Sequence, residues 1–194
     1  ALVVGAAAPP NPLEVNTALD VIDPVDALTS LREAILFANS NFGLDKITFN
    51  IPGPGVHTIE VVEPLPIVMD SVIIDGYSQP GAHPNTLDQG NDAVLLIELS
   101  GAQAGRREHG GGFHNLHGFL AIDADNSLVR GLVINRVTPH YDSMITLNTG
   151  GGNRIEGNFL GTDATGSFGV AVGNSGIVTI EPNRTTLADF TQTY

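Results

Sequence analysis

The apolar positions along this chain keep a helical period in one place only. Leu31, Ala34, Ile35 and Ala38 recur at i, i+3, i+4 and i+7, the spacing that lines one face of an α-helix. Ser30-Leu31-Arg32-Glu33 precedes that stripe as a capping box, with the Ser30 hydroxyl set to accept from the Glu33 amide and the Glu33 carboxylate to accept from the Ser30 amide. The spacing predicts a helix from about residue 30 to 40, with Gly43 as its stop. Ahead of it, Leu13 to Val21 reads as a first strand that ends at the turn Asp23-Pro24.

After Asp45 the pattern shortens to β-rich runs separated by Gly, Pro, Asn and Asp. These runs predict strands at 47–51, 56–62, 65–74, 94–99, 119–122, 128–134, 144–147, 154–160 and 177–180. The best internal match lays Asn126 to Ile134 over Gly152 to Leu160, an offset of 26 residues from Arg130 to Glu156. One turn of a solenoid is about that long. The expected fold is therefore all-β: a right-handed parallel β-helix with a short N-terminal capping α-helix, an antiparallel β-sandwich being the structural alternative. In this register Arg130 and Glu156 face each other on adjacent turns.

Composition supports many strands and turns. Of 194 residues, 42% are hydrophobic and only 15% charged, with 23 Gly and 12 Pro. That length predicts one domain, residues 13–194, preceded by an extended apolar arm and Pro-rich linker over 1–12. A net charge of −13 repels phosphate backbones and argues against nucleic acid as a partner. The absence of cysteine excludes disulfides and thiolate chemistry. No run is apolar for the roughly 18 residues a spanning helix needs, and Ala1 to Ala8 has no basic segment ahead of it, so no membrane span is expected.

Several segments, in order, resemble a known family. Thr29-Ser30-Leu31-Arg32-Glu33-Ala34-Ile35 with Ala38-Asn39, Ile47-Thr48-Phe49-Asn50-Ile51-Pro52, Leu65-Pro66-Ile67, Ile74-Asp75-Gly76, Arg130-Gly131-Leu132-Val133-Ile134 and Glu156-Gly157-Asn158-Phe159-Leu160-Gly161-Thr162-Asp163 are similar to the CSLREA-type bacterial extracellular parallel β-helix proteins. The similarity runs from about residue 13 to 180. It implies a parallel β-helix with an N-terminal helix as its cap, in a secreted or cell-surface setting, and no established chemistry. Thr29 stands where the family has its leading Cys, and Thr186-Leu187-Ala188-Asp189-Phe190 stands where further turns usually follow.

Candidate chemistry is sparse. Asp123, Asp125, Asp142 and Asp163 are the carboxylates considered for polysaccharide cleavage, but they fall in turns, where Asp caps its own backbone. Arg106 to His117 holds three of the six histidines, at His109, His114 and His117. That spacing matches no standard metal site and reads as a loop. Asp123-Ala124-Asp125-Asn126 lacks the Gly and distal Glu of an EF-hand, and Gly150-Gly151-Gly152 precedes no Lys-Ser/Thr, so it is a bend and not a phosphate loop.

The sequence thus predicts no catalytic, metal or cofactor-binding residues. It predicts a non-catalytic extracellular structural or surface protein that self-associates head to tail or joins a cell-surface matrix. The expected contact adds Leu2, Val3 and Val4 of the apolar arm to the open end around Ile177, Val178 and Ile180. The alternative is a carbohydrate-binding or polysaccharide-cleaving module, against which stands the lack of Trp and the presence of only three Tyr.

Overall fold

The computed structural model describes residues 11–105, 118–139, 141, 143–148, 151–170 and 176–180. Among these described residues, twelve short strands form three sheets, and every pairing between them is parallel. The first sheet takes β1 (Glu14–Val15), β2 (Asp45–Phe49), β4 (Val72–Asp75), β7 (Leu128–Arg130) and β10 (Arg154–Glu156) in that order. The second runs β3 (His57–Glu60), β5 (Ile97–Ser100), β8 (Leu132–Asn135), β11 (Phe159–Leu160), and the third β6 (Gly118–Ile122), β9 (Ser143–Leu147), β12 (Gly176–Ile180).

The expected all-β, right-handed parallel β-helix is corrected by this arrangement, which is mixed α/β: parallel sheets and, among the described residues, one α-helix, α1 (Leu31–Ser40). Two features account for the difference. The helix belongs to the core, since Leu31, Ala34, Ile35 and Ala38 pack in the same buried cluster as strand residues Ile47, Ile74, Val129 and Ile145. The uniform repeat also fails. The 26-residue spacing holds where β10 pairs with β7, Arg154 opposite Leu128, but β7 pairs with β4 through Leu128 opposite Ile73 and β4 with β2 through Val72 opposite Asp45. A period read from two adjacent segments therefore does not extend along the chain.

Strands β5, β6, β8 and β9 are buried at every position. Parallel strands covered on both faces lose the alternation of a half-exposed sheet, which is why these segments read as continuous apolar runs. At the bends, side-chain amides replace backbone partners. Gln79 holds both polar groups of Ile51, accepting from its N–H at 2.9 Å and donating to its C=O at 2.9 Å. Asn153 accepts from Ser127 N–H and donates to Ala124 C=O, each at 2.8 Å, and Asn158 does the same for Leu132 N–H at 2.9 Å and Val129 C=O at 2.8 Å.

The capping box forms as the sequence predicts, with Asn41 rather than Gly43 as the C-cap. One buried ion pair fixes α1 to its surroundings. Arg32 forks onto Asp20 through Nε and Nη2 at 2.8 Å each and donates further to the carbonyls of Pro64 and Glu63 at 2.9 and 2.7 Å. The two side chains are only 9% and 2% exposed. Removing one partner of such a pair strands the other charge and costs about 3–5 kcal/mol. Arg32→Met is therefore expected to lower unfolding free energy by about that much in urea titrations, and a loss below about 1 kcal/mol would show that the pair does not anchor the helix.

Candidate binding cleft

Three strands of the first sheet bring three charged residues into line. The register places Asp75 on β4 opposite Arg130 on β7, and Arg130 opposite Glu156 on β10. Glycine follows each of them, as Gly76, Gly131 and Gly157. At Gly131 and Gly157, with φ of +69° and +59°, the chain turns from the first sheet toward β8 and β11 of the second.

Tyr77 lies over these two turns. A Cβ at Gly131 would come within 2.7 Å of the Tyr77 amide nitrogen, and one at Gly157 within 2.5 Å of its hydroxyl oxygen. Close approach as well as positive φ therefore requires glycine at both positions. The Tyr77 hydroxyl donates to the Gly157 carbonyl at 2.6 Å. Burial pushes the Tyr77 phenol above its usual range, and the charges of Glu156 and Asp75 add to this against the opposing pull of Arg130.

The segment after Tyr77 forms the facing wall. His83 and Val94 pair as an antiparallel bridge that closes a loop, and inside it Asn85 donates to the carbonyls of Leu87 and Gly90 at 3.3 and 3.2 Å. Between this loop and the glycine turns is a cleft of about 270 Å³, lined on one side by Pro84, Asn85, Asn91 and Ala93. Tyr77, Arg130, Glu156, Gly157, Asn158 and Phe159 line the other.

Asp75 is buried and its carboxylate is shared by two cations. Arg130 donates to it through Nε at 2.9 Å and Nη2 at 2.8 Å, while Lys46 Nζ lies 2.8 Å from Oδ2. Burial alone would raise the Asp75 carboxyl, but the hydrogen bonds and charges of Arg130 and Lys46 outweigh it and hold the group below the usual carboxylate range. Arg130 in turn is held above its ordinary value, chiefly by the Asp75 hydrogen bond. Glu156 pairs with Arg154 through Oε2. Among the described residues, Arg130 Nη1 and Glu156 Oε1 have no hydrogen-bond partner.

The sequence expectation meets this site in part. The Arg130 and Glu156 register is as expected, but Arg130 forks onto Asp75, which the sequence reading did not connect to it because a long crossover separates them. Tyr77 and the 84–93 wall were also missed. The recurring acidic-or-basic residue followed by Gly was the available signal. Of the carboxylates considered for catalysis, Asp123 accepts from Asn148 Nδ2 at 3.1 Å. Asp125 is exposed at a bend. Asp163 is held below its usual range chiefly by a hydrogen bond from Thr165 within its own turn. None of these three lines the cleft.

Asp142 and the histidine-bearing segment Arg106 to His117 lie outside the described residues, as do Gly150, Leu2, Val3 and Val4. Ile177, Val178 and Ile180 fall on β12, whose backbone pairs with β9. Among the described residues, no group of three His, Asp or Glu side chains could hold a metal ion, and no helix is long and apolar enough to cross a membrane. No family model, curated protein or solved structure matches this chain.

A carboxyl whose folded pKa is depressed stabilises the fold above its unfolded pKa, and that contribution is lost as pH falls through the lower folded value. With an unfolded value of about 3.9, the contribution of Asp75 is complete at neutral pH and declines below about pH 4. Asp75→Asn should therefore be less stable than the parent at pH 7, with the gap closing under acid. Urea midpoints taken from pH 7 downward check this, and a gap that persists or widens on acidification would contradict the assignment.

Proposed function

We propose that this chain is a non-catalytic carbohydrate-binding module whose ligand enters the cleft between the 84–93 wall and the glycine turns. The observation that carries the reading is that a donor side chain, Arg130, and an acceptor side chain, Glu156, line one small cleft together with Phe159, Pro84, Ala93 and Tyr77. A sugar hydroxyl both donates and accepts, and the C–H face of a sugar ring packs against apolar and aromatic surface. Few polar groups set among apolar ones is the usual composition of a small-molecule site.

Binding without cleavage is favoured by the acid–base inventory. The cleft lining supplies one carboxylate, Glu156, whereas glycoside hydrolysis ordinarily uses two flanking the scissile bond. The raised Tyr77 phenol, already donating to Gly157, is a poor base at neutral pH. Head-to-tail assembly through Leu2, Val3 and Val4 gains no comparable support, because those residues lie outside the described ones.

The test is a glycan array followed by calorimetry on the best binders. Glu156→Gln and Phe159→Ala should each weaken binding about tenfold, the equivalent of about 1.4 kcal/mol, without changing the circular dichroism. Absence of binding to any glycan, or binding indifferent to both substitutions, would refute the reading, and release of reducing ends would refute its non-catalytic part.

A further inference from the structure

A cleft of about 270 Å³ is smaller than the roughly 300–1,000 Å³ of most small-molecule sites. A saccharide chain that outgrows it must meet protein beyond the lining residues, and one such surface is built beside Phe159. After β11 the chain doubles back over residues 161–170. Thr162 and Gly169 form an antiparallel bridge, Val170 N–H donates to Gly161 C=O at 2.8 Å, and Asp163 N–H donates to Phe168 C=O at 2.9 Å. Asp163 closes the turn from within, its Oδ1 accepting from Thr165 Oγ1 at 2.8 Å, Ser167 N–H at 3.2 Å and Phe168 N–H at 3.3 Å. Gly166, at φ +69°, lies against the Phe159 ring, where a Cβ would come to 3.0 Å from Cε2 and Cζ. The turn is thus packed on a ring that itself lines the cleft.

Phe168 stands two residues from Gly166, so its Cα lies within about 8 Å of the Gly166 Cα, and it is 72% exposed. A single exposed apolar side chain is ordinary. This one differs in that its N–H and its C=O are both bonded to Asp163, so the backbone that carries the ring is fixed before any ligand arrives. From this placement, and resting on the carbohydrate reading above, we infer that Phe168 is the platform of a second subsite and that the ligand is a saccharide chain bound along its length, not a mono- or disaccharide. The C–H face of an outer sugar unit covers the exposed phenyl surface, and a platform already held in place loses little freedom on binding. Arg130 and Glu156 orient the unit in the cleft through directed bonds, whereas Phe168 offers none and so selects for chain length.

Calorimetry with di- to hexasaccharides of β-1,4-linked glucose, β-1,4-linked xylose, β-1,4-linked N-acetylglucosamine and α-1,4-linked glucose separates this inference from the reading it rests on. In the series that binds, the hexasaccharide-to-disaccharide affinity ratio of the parent should exceed that of Phe168→Ala about tenfold, the size expected of one aromatic contact. Comparing ratios between variants cancels the several equivalent registers that a longer chain offers. Phe168→Leu, which keeps apolar bulk without the aromatic face, should give an intermediate ratio and serves if the alanine variant fails to fold. Glu156→Gln should weaken every member of the series alike and leave the parent ratio in place. Ratios in the Phe168 variants as high as the parent's would overturn the assignment to Phe168 and leave the carbohydrate reading standing. Equal binding of disaccharide and hexasaccharide by the parent would overturn the chain ligand as well. No binding of any series would remove the carbohydrate reading, and this inference with it.

Discussion

The Asp75 carboxylate is the point through which the first sheet and the cleft are held together. It lies at the end of β4, 3% exposed, and takes bonds from Lys46 on β2 and Arg130 on β7. A buried carboxylate without partners would be strongly destabilising, so these three strands are tied to one register wherever the charge is kept. Two residues farther on, Tyr77 covers the glycine turns after β7 and β10, so the same node that fixes strand register also places the aromatic side chain of the cleft. Glu98 on β5 repeats the arrangement in the second sheet. It accepts from Thr58 on β3 at 2.6 Å, from Asn135 on β8 at 2.7 Å and from Arg136 at 2.9 Å, and these bonds keep it below its usual range despite burial.

Short parallel strands give each sheet few backbone bonds per strand, and the bends between sheets leave many N–H and C=O groups unpaired by other backbone. Side-chain amides meet that need here. Gln79, Asn153 and Asn158 each take one N–H and one C=O of a neighbouring bend, so each bend is locked to the next rather than to itself. At the other end of the fold, Asn39 plays the same part between α1 and the row after it, donating to Ile67 C=O and accepting from Met69 N–H at 2.7 Å each. A cleft whose polar residues sit on strand ends and locked turns is held more rigidly than one built on free loops, which suits recognition by a few directed bonds.

The cleft draws on segments far apart in the chain: the wall at 84–93, Arg130 after the crossover, and Glu156 to Phe159 after another. Its assembly therefore depends on the parallel pairing of β4, β7 and β10 more than on any local motif. The same dependence explains why acidic residues singled out in turns, such as Asp163, proved to be occupied by their own loop's hydroxyl and amide groups.

What the sequence by itself determined was local. The capping box and the i, i+3, i+4, i+7 stripe are complete within ten residues, and α1 forms where they predict it. Most apolar runs became strands near their expected positions, and the match of Asn126–Ile134 with Gly152–Leu160 gave the Arg130–Glu156 register, because no insertion separates those two segments. Tertiary structure alone decided the rest. A continuous apolar run says that a strand is covered, without saying which strand it pairs with. Insertions between β4 and β7 erase the period that would have aligned Asp75 with Arg130. The mixed α/β class, the charge shared across β2, β4 and β7, and the cleft under the 84–93 wall all arise from contacts between segments whose separation in sequence carries no regular spacing, and such contacts leave no local pattern to read.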